Sequence, residues 1–86
     1  MRHFRYFVDP GHGWLRVPLT ALYVLGIADR ITAYSYRRER YAYLEEDVDG
    51  PLFVRTYEAR YGRPPTIVET ITDRTSRIRE YPRYVP

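Results

Sequence analysis

The chain has 86 residues, of which 44% are hydrophobic and 16% aromatic, and it carries a formal net charge of +3 and no cysteine. This length leaves room for one hydrophobic core, and this apolar content excludes a disordered chain. Without cysteine there can be no disulfide or zinc–thiolate site, and no apolar run is long enough to span a membrane.

Arginine supplies all 14 basic residues, and the charges fall in blocks. Residues 1–44 contain seven arginines and three acids, and residues 45–58 contain one arginine and five acids. Residues 59–86 contain six arginines and three acids. Arginine suits bidentate contacts with phosphate or carboxylate, although the codon usage of a GC-rich genome gives the same bias. The N-terminus does not resemble a signal peptide, so we expect a cytoplasmic protein.

The first predicted elements are a β-hairpin over residues 3–17 and a short helix. Turn formers in "DPGHG" separate two alternating stretches of the hairpin. Pro18 suits the first turn of the helix, and Gly26 is placed for a left-handed C-terminal cap. Ile27 would then fold back on the last helical turn, as it does in Schellman endings.

A second hairpin is predicted over residues 31–45, with its turn near Arg38 and Glu39. One face would carry two tyrosine pairs, Tyr36 opposite Tyr41 and Tyr34 opposite Tyr43. The other face would carry two pairs of small or aliphatic residues, Ser35 with Ala42 and Ala33 with Leu44. The turn lacks Gly and Asn, so the register is weakly specified, and either face could be the one that a helix covers.

The second half of the chain predicts a helix, a strand and a tail. Asp49 is the predicted helix N-cap, and Gly62 ends the helix before two prolines. Residues 66–72 form a β-branched strand, and residues 73–86 are a flexible or edge-strand tail. The prediction is a single α+β domain over residues 1–86, of order β-β-α-β-β-α-β, with a mainly antiparallel sheet and two helices on one face.

Two polar clusters could be functional, but each has a structural explanation. His12 with Asp9 and His3 could form a two-histidine, one-carboxylate set, but a turn residue packed on Trp14 explains the same letters. The acids of "EEDVD" lack the spacing of a calcium loop and are typical of a strand end followed by a helix N-terminus. We predict no catalytic residue, no metal and no cofactor.

The tyrosine face and the arginines at its hairpin tip form the predicted binding surface, because Tyr and Arg are enriched in interface hot spots. It comprises Tyr34, Tyr36, Arg37, Arg38, Arg40, Tyr41 and Tyr43. The tail offers a second set, hydroxyl and guanidinium groups that suit a phosphate, although a solvated charged tail is the alternative. This set comprises Arg74, Ser76, Arg77 and Arg79.

Three stretches, "DPGHGWLRVP", "LGIADRITAYSY" and "YAYLEED", resemble small single-domain accessory proteins carried by bacteriophages and plasmids. The resemblance covers roughly residues 6–55. The resemblance implies a protein encoded on a mobile genetic element that binds a host component. It assigns no functional residue in this chain.

Three functions follow from these patterns. The first is a non-enzymatic module that engages a host protein or protein complex, for instance in counter-defence, through the tyrosine face. The second is nucleic-acid binding by the same face, with the tail arginines on phosphates. The third is a small nucleotide-binding protein or enzyme that uses His12, Trp14 and the Arg74–Arg79 segment. A homodimer is compatible with the modest core, and no membrane partner is expected.

Overall fold

The computed structural model of the protein describes residues 3–86, so Met1 and Arg2 of the predicted domain lie outside the described residues. Within this range the chain forms a small α+β fold, a five-stranded mixed sheet with two α-helices. The strands are β1 (His3–Val8), β2 (Gly13–Pro18), β3 (Tyr36–Arg38), β4 (Tyr41–Glu45) and β5 (Thr66–Ile71). The α-helices are α1 (Leu19–Val24) and α2 (Asp49–Tyr61), and short 3-10 helices span Ala28–Arg30 and Arg77–Glu80.

The strand order in the sheet is β3-β4-β2-β1-β5. The pairs β2–β1 and β3–β4 are the two antiparallel hairpins that the sequence predicts, and β4 also pairs antiparallel with β2. The pair β1–β5 is parallel, because α2 carries the chain back across the sheet before β5 begins. The sheet of the described residues is therefore mixed, with one parallel edge.

Both α-helices end at glycines in the left-handed conformation, as predicted. Gly26 has φ 72°, and the N–H groups of Gly26 and Ile27 donate to the carbonyls of Tyr23 (3.1 Å) and Leu22 (2.9 Å). This is the Schellman pattern. Gly62 has φ 78° and donates to the carbonyl of Glu58.

The start of α2 differs from the prediction. Val48 takes the N-cap position, and Asp49 is the first helical residue. Glu45 supplies the acceptor for this helix end, because its Oε1 atom accepts the N–H groups of Val48 (2.7 Å) and Asp49 (2.6 Å). The carboxylate of Asp49 is thereby left to accept hydrogen bonds from the preceding loop.

The predicted register of the second hairpin is wrong by two residues. Tyr36 pairs with Tyr43, and Arg38 pairs with Tyr41. The turn lies at Glu39 and Arg40, where Glu39 takes φ 54° although it is not glycine. Ala42 therefore pairs with Arg37, and Ser35 lies before β3, where its hydroxyl donates to Asp49.

One face of the sheet packs against both α-helices and forms the main core. Its buried members include Phe4, Leu15, Val17, Leu22, Ile27, Leu44, Leu52 and Phe53. Phe53 is completely buried and meets Phe4 edge to face, with ring centroids 5.2 Å apart. Ala42 and Leu44 lie on this face, so the small side of the second hairpin is the one that the helices cover.

The C-terminal segment, residues 76–83, covers the opposite face, which carries the tyrosines. Ile78 is buried there with Trp14 and Tyr43 in a second apolar cluster. The predicted tail therefore packs as a layer of the fold, and it reaches the β3 edge through one bridge between Tyr36 and Arg83. In residues 3–86 no helix is long and apolar enough to cross a membrane.

Candidate functional site

A cleft of about 430 Å³ opens where the β1–β2 turn, the loop before β3, the β4–α2 turn and the C-terminal segment meet. Its wall combines three aromatic rings, three carboxylates and two guanidiniums with a histidine and a valine. The lining residues are Trp14, Tyr34, Tyr36, Glu45, Glu46, Asp47, Arg79, Arg83, His12 and Val48. We refer to this cavity as the cleft.

The β1–β2 turn that forms one rim of the cleft is organised by Asp9. Its Oδ1 atom accepts the N–H groups of Gly11 and His12, both at 2.9 Å, and its own N–H donates to the carbonyl of His12. These bonds are those of an Asx turn. The sequence interpretation of "DPGHG" as a turn is therefore correct, and the ring of His12 lies near Trp14, with centroids 6.0 Å apart.

The same carboxylate ties the turn to the C-terminal segment. Arg79 donates to Asp9 through Nε (2.8 Å) and Nη2 (2.9 Å), and the N–H of Ser76 donates to Oδ2 (2.9 Å). The Arg79 guanidinium and the backbone donors hold the pKa of Asp9 well below its usual range, although burial of the carboxylate opposes them. Asp9 in turn raises the pKa of Arg79. The charge of Arg79 is therefore compensated within the fold.

Two arginines already stack on aromatic rings of the cleft. The Arg79 guanidinium carbon lies 5.3 Å from the centroid of Trp14, and that of Arg83 lies 4.7 Å from the centroid of Tyr36. Trp14 and Tyr36 meet edge to face at 6.3 Å. The Nη1 atom of Arg83 also donates toward the carbonyl of Tyr34 at 3.4 Å.

The carboxylate wall is built from the turn between β4 and α2. Glu45 accepts backbone N–H groups of this turn, and Glu46 accepts the N–H of Gly13 at 3.0 Å and lies 3.3 Å from Nδ1 of His12. Glu46 and Asp47 are exposed. In residues 3–86 no group of three or more acidic, histidine or cysteine side chains could hold a metal ion.

The predicted tyrosine surface is divided between three environments. Tyr43 is buried beneath Tyr81, with ring centroids 5.1 Å apart, and burial raises its pKa. Tyr36 and Tyr41 are half-buried, and the guanidinium of Arg16 lies 4.7 Å from the Tyr41 ring. Tyr34 lies outside β3 and is 70% exposed at the rim of the cleft. The four tyrosines do not form one open stacking platform, because the C-terminal segment covers part of this face.

The hairpin-tip arginines point in different directions. Arg38 donates to the hydroxyl of Tyr81 at 3.1 Å and, with Arg77, lines a second, shallow groove. Arg37 donates its N–H to the carbonyl of Pro82 at 2.8 Å, and Arg40 is exposed.

The four predicted phosphate contacts do not meet at one point. Arg79 is paired with Asp9, and the hydroxyl of Ser76 accepts the N–H of Ile78 to start the last 3-10 helix. Arg74 and Arg77 are exposed. Of the segment Arg74–Arg79, only Arg79 lines the cleft with His12 and Trp14.

Sequence reasoning missed the contribution of Arg83 and of the acidic turn to this cleft. Of the lining residues, the predicted binding sets contain Tyr34, Tyr36 and Arg79. The third predicted function uses His12 and Trp14. Arg83 lies in "YPRYVP", whose proline-broken pattern gives no periodic signal. No protein-family model, no curated protein and no solved structure matches this chain.

Proposed function

We propose that this chain is a non-enzymatic binding module of mobile-element type, which engages a host protein in the bacterial cytoplasm. The observation that carries the proposal is the cleft, because it is a ligand-sized concavity with aromatic and charged side chains on one wall. The predicted binding surface contributes Tyr34 and Tyr36 to its lining.

The use of the buried polar groups supports binding over catalysis. Asp9 is saturated by Arg79 and backbone donors, and Asp49 accepts hydrogen bonds from Thr32 and Ser35. A general base needs a proton-accepting atom within reach of a substrate. These two carboxylates instead hold loops together.

Tyr34 is the strongest candidate for a contact residue. It is 70% exposed at the rim, so its ring contributes little to the core and is available to a partner. Tyrosine presents a large rigid contact area with a hydroxyl at its end, and such side chains dominate binding energy when a partner desolvates them.

The test is capture of a host protein from a nuclease-treated bacterial lysate by three immobilised chains: the native sequence, Tyr34→Ala and Tyr23→Ala. Tyr23 is a matched control, because it is 63% exposed but lies on α1, across the sheet from the cleft. We expect a partner that Tyr34→Ala loses and Tyr23→Ala retains. Equal capture by the two variants would refute the proposed surface.

A second candidate function, nucleic-acid binding, is favoured by the shallow groove between Arg38 and Arg77. This groove joins the hairpin-tip set and the tail set, which are far apart in the sequence. Thr75, Glu80, Tyr81 and Pro82 complete its lining.

Counterion release provides the test of that function. Affinity for a labelled oligonucleotide should fall steeply with salt, and Arg77→Ala should reduce the slope of log affinity against log salt by about 1. Arg63→Ala, which removes an exposed arginine after α2, serves as the control. A salt-insensitive complex, or equal slopes for the two variants, would exclude this function.

A further inference from the structure

We infer that the cleft receives an arginine side chain of a basic segment in the partner protein, an inference that rests on the proposed binding function. The ligand class follows from two features of the cleft, its net charge and its aromatic walls.

The charge of the cleft is negative. Arg79 is neutralised by its bidentate pair with Asp9, which leaves three carboxylates on the β4–α2 turn against the single guanidinium of Arg83. With the histidine counted as neutral and Arg79 counted together with its partner Asp9 as zero, the cleft carries a net charge of −2. This differs from the whole chain, whose net charge is +3. A cleft with a net negative charge raises the local concentration of cationic ligands.

The aromatic walls suit a planar cation. Trp14 and Tyr36 each have a guanidinium of the chain itself within 5.3 Å of the ring centroid. Guanidinium groups stack on such rings and keep their N–H donors free for carboxylates at the ring edge. The ring of Tyr34 is exposed beside them, so it remains available to a third guanidinium.

The acidic wall can be altered without disturbing the fold. Asp47 is exposed on the turn. Its backbone N–H, and not its carboxylate, holds the turn, by donating to Glu45 at 2.7 Å. Asp47→Asn therefore removes one charge from the cleft and keeps the turn. Glu58→Gln is the matched control, because it removes the same charge from an exposed position of α2 outside the cleft lining.

The experiment is a titration of the intact chain followed by tryptophan fluorescence, because Trp14 is the only tryptophan and lines the cleft. The probes are acetyl-Gly-Arg-Gly-amide and the same peptide with citrulline, which keeps the shape of arginine and lacks its charge. We expect saturable binding of the arginine peptide, and binding of the citrulline peptide that is weaker by about tenfold. Asp47→Asn should weaken binding of the arginine peptide by about threefold, and Glu58→Gln should leave it unchanged.

Equal affinity for the two peptides, or no saturable response to the arginine peptide, would overturn the inference. The proposed function is tested separately by the capture experiment. If the peptides bind alike while capture still depends on Tyr34, the ligand class is wrong and the binding surface stands. If capture is the same for Tyr34→Ala and Tyr23→Ala, the proposed function itself fails.

Discussion

Gly13 illustrates how a single residue sets the shape of the β1–β2 turn. It is buried, and a Cβ atom built on it would overlap the hydroxyl and ring of Tyr6, which lies on the same face of the sheet. Tyr6 is partly buried and packs against the main core, which restrains its ring. Glycine is required here for close approach of a side chain, and its φ is not in the left-handed region.

We expect Gly13→Ala to reduce the free energy of unfolding by about 1–3 kcal/mol, as overpacking of a core does. Urea unfolding measures this loss. The control is Gly62→Ala, where the Cβ meets open space and the positive φ of the backbone alone costs about 1 kcal/mol. A loss at Gly13 no larger than the loss at Gly62 would show that Tyr6 yields easily.

Asp9 predicts a specific pH dependence. Its pKa in the folded protein lies well below its usual range, so the stabilisation it provides is fully present above the unfolded-state pKa of about 4. That stabilisation is lost progressively as the pH falls from about 4 towards the folded-state value, because the unfolded chain binds the proton first.

In Asp9→Asn, we expect the free energy of unfolding to depend less steeply on pH between about pH 4 and pH 2. The slope should fall by the amount that corresponds to the uptake of up to about one proton on unfolding. Urea unfolding at several pH values measures the slope. Asp73→Asn, at an exposed position after β5, is the control and should follow the native slope. Parallel curves for the native chain and Asp9→Asn would mean that Arg79 does not hold this carboxylate in its charged form.

At the scale of the element, local signals in the sequence predicted most of the secondary structure. Helix ends at Gly26 and Gly62 depend on a few neighbouring residues, and both are confirmed. The second hairpin has a different register from the predicted one. The sequence specifies this register weakly because the turn lacks Gly and Asn, and the bond from Ser35 to Asp49 just before β3 spans 14 residues, so that no local pattern reveals it. The parallel β1–β5 pair is non-local in the same way.

The same distinction applies to the candidate site. Aromatic and arginine residues were predicted to bind, and Tyr34 and Tyr36 do line the cleft. The roles of Arg79 and Tyr43 were not predictable, because one is neutralised and the other covered by segments that are far away in the sequence. Residue type indicates which side chains suit an interface, but only packing decides which of them remain exposed.

Ser35 provides a test of how loop and helix are joined. Its buried hydroxyl donates to Asp49 at 2.5 Å and accepts the N–H of Glu45 at 3.0 Å. Ser35→Ala leaves a buried carboxylate short of one donor and a backbone N–H short of its acceptor. We expect a loss of about 2–3 kcal/mol in the free energy of unfolding.

Ser76→Ala is the matched control, because Ser76 is the only other serine. Its hydroxyl accepts one N–H, from Ile78, in a partly buried position, so the expected loss is about 1 kcal/mol. Urea unfolding of both variants gives the comparison. Similar losses at the two serines would show that the bond between the loop and α2 adds little to stability.

At the scale of the whole molecule, strands β1, β2 and β4 are packed on both faces, by two α-helices on one side and by the C-terminal segment on the other, whereas β5 is exposed. The segment is fixed at both ends. Arg79 binds Asp9 near its start, and Tyr84 is buried just after its end, where the N–H of Tyr84 donates to Ser35 and its hydroxyl to Ala28. These anchors connect the segment to the β1–β2 turn and to the main core. A segment held in this way should not detach while the sheet remains folded.

We therefore expect a single cooperative unfolding transition in urea, with a slope of about 1 kcal/mol per M for a chain of this size. Two probes report on opposite faces of the sheet: fluorescence of Trp14, which is buried under the C-terminal segment, and far-ultraviolet circular dichroism of the two helices. Their midpoints should coincide. An earlier fluorescence midpoint would mean that the segment opens first and exposes the tyrosine face, and the cleft would then exist only in part of the folded population.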